Sequence, residues 1–184
     1  MSEKPFRIAV FGSSSITQDS KAAQQAETLG RFLAQAEFTV CNGGYMGAME
    51  ACSRGAFQAG GRVIGVTCAQ FADRKPNPYL SEEIQTADLP ERLITLVRLA
   101  DAFVVLDGNI GTLAECFLAW NLLAMGEKRP LLVVGEAMRQ ALYGLSRHTE
   151  ISPQQLGWIE FVADAHDAVQ RLRTAFYPVN SSRA

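Results

Sequence analysis

The stretch from Asp107 to Glu115, DGNIGTLAE, decides how the rest of this chain is read. It follows an apolar run, Phe103-Val104-Val105-Leu106, with the look of a buried parallel strand. It precedes an apolar segment, Cys116 to Met125, that reads as a helix. Gly108 and Gly111 are expected in the turn between them, with Thr112 as the helix cap and Glu115 in the first turn on the rim. A glycine turn opening a helix after a buried strand presents free backbone N–H groups at the positive end of a helix dipole. That is a binding place for a phosphate or carboxylate. A carboxylate beside an anion site points to chemistry next to a bound phosphate.

Working outward, strands alternate with helices. Phe6 to Phe11 reads as a first strand, closed by Gly12-Ser13-Ser14-Ser15, a small polar loop that lets a ligand approach. A helix pattern follows from about Asp19 to Ala36, then a short strand over Phe38 to Cys41. Asn42-Gly43-Gly44-Tyr45-Met46-Gly47 leads into a helix over Ala48 to Ala59, a second strand–glycine turn–helix unit. Arg62 to Thr67 is a third strand, Ala69 to Ser81 a loop, and Glu83 to Thr86 a short strand. Pro90 opens a helix running to Ala100. Ala102 to Leu106 is the strand before the opening motif, and the helix from Thr112 ends at Gly126. The remainder reads as a strand over Pro130 to Val134, a helix over Glu136 to Ser146, a strand over Ile159 to Val162 and a helix over Ala165 to Phe176. Asn180 to Ala184 reads as a disordered end.

This alternation predicts an α/β fold, a Rossmann-like doubly wound parallel sheet with helices on both faces. Such sheets bind ligands beyond the carboxyl ends of their strands. The loops after Phe11, Cys41 and Leu106 all sit there and can face one crevice.

Composition sets the outer bounds. The 184 residues suit one domain. A formal net charge of −2 argues against a general nucleic-acid binder. No apolar run reaches membrane-spanning length, and the start, MSEKPFRIAVFG, lacks the layout of a signal peptide, so the expected place is the cytoplasm. Cys41, Cys52, Cys68 and Cys116 form no CxxC pair, and the two histidines lie far from them. Reduced, buried thiols with neither zinc nor disulfide framework are expected. Cys116 carries one reservation, because a nearby helix start lowers a thiol pKa.

Neither glycine turn carries the P-loop lysine, and neither is a GxGxxG fingerprint. Arg92, on the helix before the Phe103 strand, is either a substrate-positioning guanidinium or a surface partner of Glu91 or Asp88. Glu115 is either a catalytic acid or a first-turn acid that favours the helix dipole.

NGGYMGAME (42–50), ERLITLVRLADAF (91–103) and DGNIGTLAE (107–115) together resemble the LOG family of Rossmann-like proteins. Its members with demonstrated activity are cytokinin-activating phosphoribohydrolases; many relatives carry an unsupported "lysine decarboxylase" label. The family pattern is a glycine turn with GLMG, an arginine helix, then PGGxGTxxE. The resemblance spans Arg7 to Val134 and implies the same fold and a homodimer. It places Arg92 on the catalytic arginine and Glu115 on the catalytic glutamate. Gly12, Ser13, Ser14, Gly43, Gly44, Gly47, Gly108, Asn109, Ile110, Gly111 and Thr112 then bind the phosphate and nucleotide. No metal or cofactor is implied.

This chain departs from the family pattern in several places. Asp107 replaces the proline, Asn109 the second glycine, Ala114 the first glutamate and Leu93 a lysine, and the usual histidine is absent. Asp107 is expected to weaken phosphate binding by Coulomb repulsion. Asn109 is expected to tolerate left-handed geometry. The NPYL segment (77–80) and LVRLADA (96–102) are closer to a branch with molybdenum-cofactor carrier proteins.

The expected function is cleavage of the N-glycosidic bond of a nucleoside 5′-monophosphate to base and ribose 5-phosphate. The alternative is a non-catalytic carrier or sensor for a nucleotide or molybdenum cofactor. Pyridoxal-dependent decarboxylation is set aside, because Lys4, Lys21, Lys75 and Lys128 all lie outside the glycine turns. The expected dimer seam is the Pro90–Ala100 helix or its neighbour, which carries surplus Leu118, Trp120, Leu122 and Leu123.

Overall fold

The computed structural model describes residues 5–178. The region expected to be disordered, Asn180 to Ala184, lies outside them. In chain order the elements are β1 (Arg7–Phe11), α1 (Lys21–Gln35), β2 (Thr39–Asn42), α2 (Ala48–Gln58), β3 (Val63–Cys68), β4 (Glu82–Thr86) and α3 (Leu89–Leu99). Then come β5 (Ala102–Val105), α4 (Ile110–Ala124), β6 (Leu131–Val133), α5 (Glu136–His148), α6 (Pro153–Leu156), β7 (Glu160–Phe161) and α7 (Ala165–Phe176). Short α6 is the element the hydrophobic pattern does not reveal.

The seven strands form one sheet in the order β4-β3-β2-β1-β5-β6-β7, every pairing parallel. The chain winds outward from β1 to β4, then restarts at β5 on the other side of β1. That reversal is the switch point of a doubly wound sheet, where a crevice opens at the strand carboxyl ends.

Alternation along each strand supplies two cores. Ile8, Val10, Val40 and Val104 face the layer of α1, α2 and α7, while Ala9, Phe11, Phe103 and Val105 face α3, α4 and α5.

The α1–α2 pair is unusually close. A Cβ on Gly30 would run into the Cys52 carbonyl of α2, and one on Gly55 into the Glu27 carbonyl of α1. The two glycines let the helix backbones touch where most pairs keep 8–10 Å between axes. These helices carry the loops after β1 and β2, so their contact fixes those loops relative to each other. The loops also interlock directly. The Ala48 N–H donates to the Ser13 carbonyl at 2.8 Å, and Gly47, at φ 72°, abuts Ser13 and Ser14.

Candidate active site

Helix α3 brings Arg92 inward. Asp88 caps it, accepting from the Glu91 N–H at 2.8 Å, and the Glu91 carboxylate accepts from the Ala87 N–H at 2.7 Å. This reciprocal cap occupies both acids that a surface Arg92 would have sought. Arg92 lies four residues before buried Leu96, on the core-facing stripe.

Arg92 is only 7% exposed, and its Nε and Nη2 donors are taken up by the protein. Nε donates to the Val66 carbonyl at 2.8 Å and Nη2 to the Gly43 carbonyl at 3.2 Å. The Tyr45 ring centre lies 5.6 Å from the guanidinium carbon. Nη1 faces Glu115 Oε1 at 3.8 Å. Tyr45 is itself anchored, its hydroxyl accepting from the Cys68 N–H at 2.8 Å.

Glu115 is not on the rim. Helix α4 begins at Ile110, so Glu115 stands in its second turn, 8% exposed, on the floor of a cleft. Burial pushes its pKa from 4.5 up to about 7, against the opposing pull of Arg92. A carboxyl poised near neutrality is suited to proton transfer at working pH.

The start of α4 differs from expectation at three further points. Asn109, not Thr112, is the cap: its side chain accepts from the Gly111 N–H at 3.2 Å. Asparagine takes the cap because its short side-chain carbonyl reaches forward to the first-turn N–H of Gly111 from an extended backbone, φ −105°. Left-handed geometry is therefore not used there, and Gly111 is inside the helix rather than in the turn. Thr112, freed from capping, is buried, and its hydroxyl is the single buried side-chain polar atom without a partner among the described residues.

Asp107 turns away from the cleft. Its Oδ1 accepts from the Met138 N–H at 2.8 Å, capping α5 from the end of the neighbouring strand β5, where Gly135 brings no side chain of its own. The negative charge expected to oppose a phosphate is held by the α5 dipole instead. All four cysteines are free and buried as expected, and Cys116 is no exception. It is fully buried and its thiol is pushed up to about 12, chiefly by burial and further by Glu115.

The cleft encloses about 290 Å³ over the switch point. Of the expected residues it is lined by Gly12, Ser14, Gly43, Arg92, Glu115 and the Asn109–Thr112 turn. Ser13, Gly44, Gly47 and Gly108 stand behind that wall. A Cβ at Gly44, φ 75°, would press on Thr67 of β3, and one at Gly108 would collide with Thr112. Gly43 is different: a Cβ there would collide with the Arg92 guanidinium and crowd Met49 Sδ.

Val10, Met49, Phe71, Arg74 and Leu89 complete the lining, and the sequence did not single them out as site residues. Phe71 and Arg74 lie in the Ala69–Ser81 segment, read only as a loop; an arginine close after an aromatic was the available signal. Among the described residues no group of three or more His, Cys, Asp or Glu is placed to hold a metal ion. No helix among them is long and apolar enough to cross a membrane.

Comparison with known proteins agrees with the fold. The model of the SLOG cluster4 family matches residues 5–155. The chain is 26% identical over 179 residues to the cytokinin riboside 5′-monophosphate phosphoribohydrolase of Rhodococcoides fascians, covering 92% of this chain and 90% of that protein. It is 29% identical over 182 residues to the enzyme of the same name, LOG5, from Arabidopsis thaliana, covering 95% and 79%. Its fold is also that of the molybdenum cofactor binding protein from Rippkaea orientalis, at TM-score 0.76 and 20% identity, covering 95% and 99%. The chain belongs to the SLOG cluster4 family.

Proposed function

We propose, taking that membership as the premise, that the protein hydrolyses the N-glycosidic bond of a nucleoside 5′-monophosphate. The products are the free base and ribose 5-phosphate. The phosphate sits at the start of α4, held by the free backbone N–H groups of Asn109, Ile110 and Thr112, by the unpartnered Thr112 hydroxyl and by Ser14. Two independent features support that seat: a helix N-terminus opening on the cleft, and a buried hydroxyl with an unmet hydrogen-bond capacity.

The observation that carries the reading is Glu115, buried on the cleft floor beside Arg92 and next to that seat. As the bond from C1′ to the base nitrogen breaks, its electron pair leaves with the base and positive charge builds on the ribose. An ionised Glu115 stabilises that charge and accepts a proton from the attacking water, whose oxygen bonds to C1′. The proton balance closes on the departing base. Arg92 holds the carboxylate in place and keeps part of its population ionised.

The test is incubation with AMP, GMP, IMP, CMP and UMP, with chromatography of free base and ribose 5-phosphate. Wild type is expected to release base, and Glu115→Gln to be slower by about 10²-fold or more. No release from any nucleotide, or equal release by the variant, overturns the proposal.

A carrier reading draws on the likeness to the Rippkaea protein. It keeps the phosphate seat and gives Glu115 no chemistry. Stoichiometric retention of a phosphate-bearing ligand without turnover supports it. A homodimer belongs to the hydrolase reading, its seam on α3 and α4, where Ile94 and Phe117 are exposed; sedimentation equilibrium decides it.

A further inference from the structure

The cleft holds a second guanidinium that the proposed chemistry leaves unused. Arg74, exposed on the segment after β3, lies against two rings, its guanidinium carbon 4.7 Å from the Phe71 ring centre and 5.9 Å from that of Tyr45. Among the described residues its side chain has neither carboxylate nor hydrogen-bond partner. Arg92 shares the Tyr45 ring but is consumed by Val66, Gly43 and Glu115. A guanidinium resting against aromatic rings and otherwise unpaired offers its planar fork of N–H donors to a ligand in the cleft.

Sheet topology places that fork. The lining from Gly12, Ser14 and the start of α4 stands over β1 and β5, while Phe71 and Arg74 follow β3 and Leu89 opens α3 after β4. From β5 to β3 is three strand spacings of about 4.8 Å, roughly 14 Å. Arg92 and Glu115 lie between, Arg92 reaching β3 and the β2–α2 turn. A mononucleotide with its phosphate at α4 and its glycosidic bond at Glu115 therefore lays its base against Phe71, Arg74, Met49 and Leu89.

We propose that Arg74 reads the edge of the base and selects 6-oxopurines, guanine and hypoxanthine, over 6-aminopurines. The inference rests on the phosphoribohydrolase reading for the direction in which the nucleotide lies. The chemistry is that of donors meeting acceptors. Guanine and hypoxanthine present adjacent O6 and N7 acceptors that match a guanidinium fork. Adenine presents N7 beside an N6 amino donor, which faces a donor and repels it. Uracil and cytosine lack the paired acceptors on a purine-sized ring, so they gain less. The apolar neighbours Phe71, Met49 and Leu89 cover the ring without choosing among bases.

The test compares kcat/KM for IMP, GMP and AMP in wild type, Arg74→Ala and Arg74→Lys. Wild type is expected to favour IMP and GMP over AMP by about tenfold or more. Arg74→Ala is expected to lose about ten times more on IMP and GMP than on AMP, mostly in KM. Arg74→Lys recovers little, having charge without the fork. Equal losses on all three nucleotides, or a wild type indifferent to the base, overturn the inference and leave the hydrolase reading standing. If no nucleotide is cleaved, the hydrolase reading falls alone, and calorimetric binding of IMP against AMP to wild type and Arg74→Ala decides the base preference. Equal affinities, or no binding, then overturn it.

Discussion

Arg92 Nη1 and Glu115 Oε1 stand 3.8 Å apart on the floor of the cleft, both residues buried. The pair is lopsided. Arg92 has two backbone carbonyls as well as the carboxylate, whereas among the described residues the Glu115 carboxylate has Arg92 as its single ion-pair or hydrogen-bond partner. Burial therefore outweighs the guanidinium and Glu115 titrates near 7. The site holds a charged acid only part of the time at neutral pH.

The rate of base release should rise with pH through about 7 as Glu115 ionises. Arg92 pulls that pKa down, so Arg92→Met moves the limb to higher pH besides slowing the reaction. The profile of kcat/KM between pH 5 and 9 measures it. A limb that Arg92→Met leaves in place would refute the coupling.

Stability carries the opposite signature. The folded pKa of Glu115 is raised, so its favourable contribution is complete below about 4.5 and is lost as pH climbs through about 7. Denaturant midpoints should show wild type losing stability relative to Glu115→Gln over that window, on the order of 3 kcal/mol.

Thr112→Val separates fold from ligand. Removing an unpartnered buried hydroxyl should leave the ligand-free protein as stable or about 1 kcal/mol more stable. Affinity for AMP should fall by about tenfold, the share of one hydrogen bond to a charged group. A variant that is destabilised yet binds normally would mean the hydroxyl serves the fold.

Asp107→Ala tests where that charge acts. Loss of the α5 cap should cost about 1 kcal/mol in unfolding experiments. Phosphate affinity should change little, because the carboxylate faces Met138. A marked gain in affinity would restore the repulsion that the loop sequence alone suggests.

Gly43→Ala should disturb catalysis more than its size implies, since the new methyl displaces the Arg92 fork. We expect kcat/KM to fall by about tenfold or more, with 1–3 kcal/mol of instability, about the cost of overpacking. Gly60→Ala is the control: its φ of 77° makes it costly by about 1–2 kcal/mol, but it leaves turnover intact.

The strand–helix alternation, the parallel sheet and the convergence of the β1, β2 and β5 loops were all legible, because periodicity in burial is written locally. The partnership of Arg92 and Glu115 came through family resemblance, and the structure brings the two within ion-pair reach. The start of α4 was misread, since Asn109 and Thr112 are both good caps and local sequence does not rank them. Asp107 misled for a different reason. Its partner is the Met138 N–H, 31 residues on, and no local pattern announces such a contact. Arg74 and Phe71 were missed because a loop has no period; their place depends on the path between Cys68 and Glu82.

The touching backbones at Gly30 and Gly55 leave no slack for drift between the two helices they belong to. Side chains can trade volume with neighbours over many generations; two main chains in contact have nothing to trade. Substituting either position would wedge the helices apart and skew the shelf under Gly12 and Gly43 together, even though neither glycine borders the cleft. Variants there should retain a folded sheet and yet lose function, a defect whose origin would be sought in vain among the residues that line the binding site.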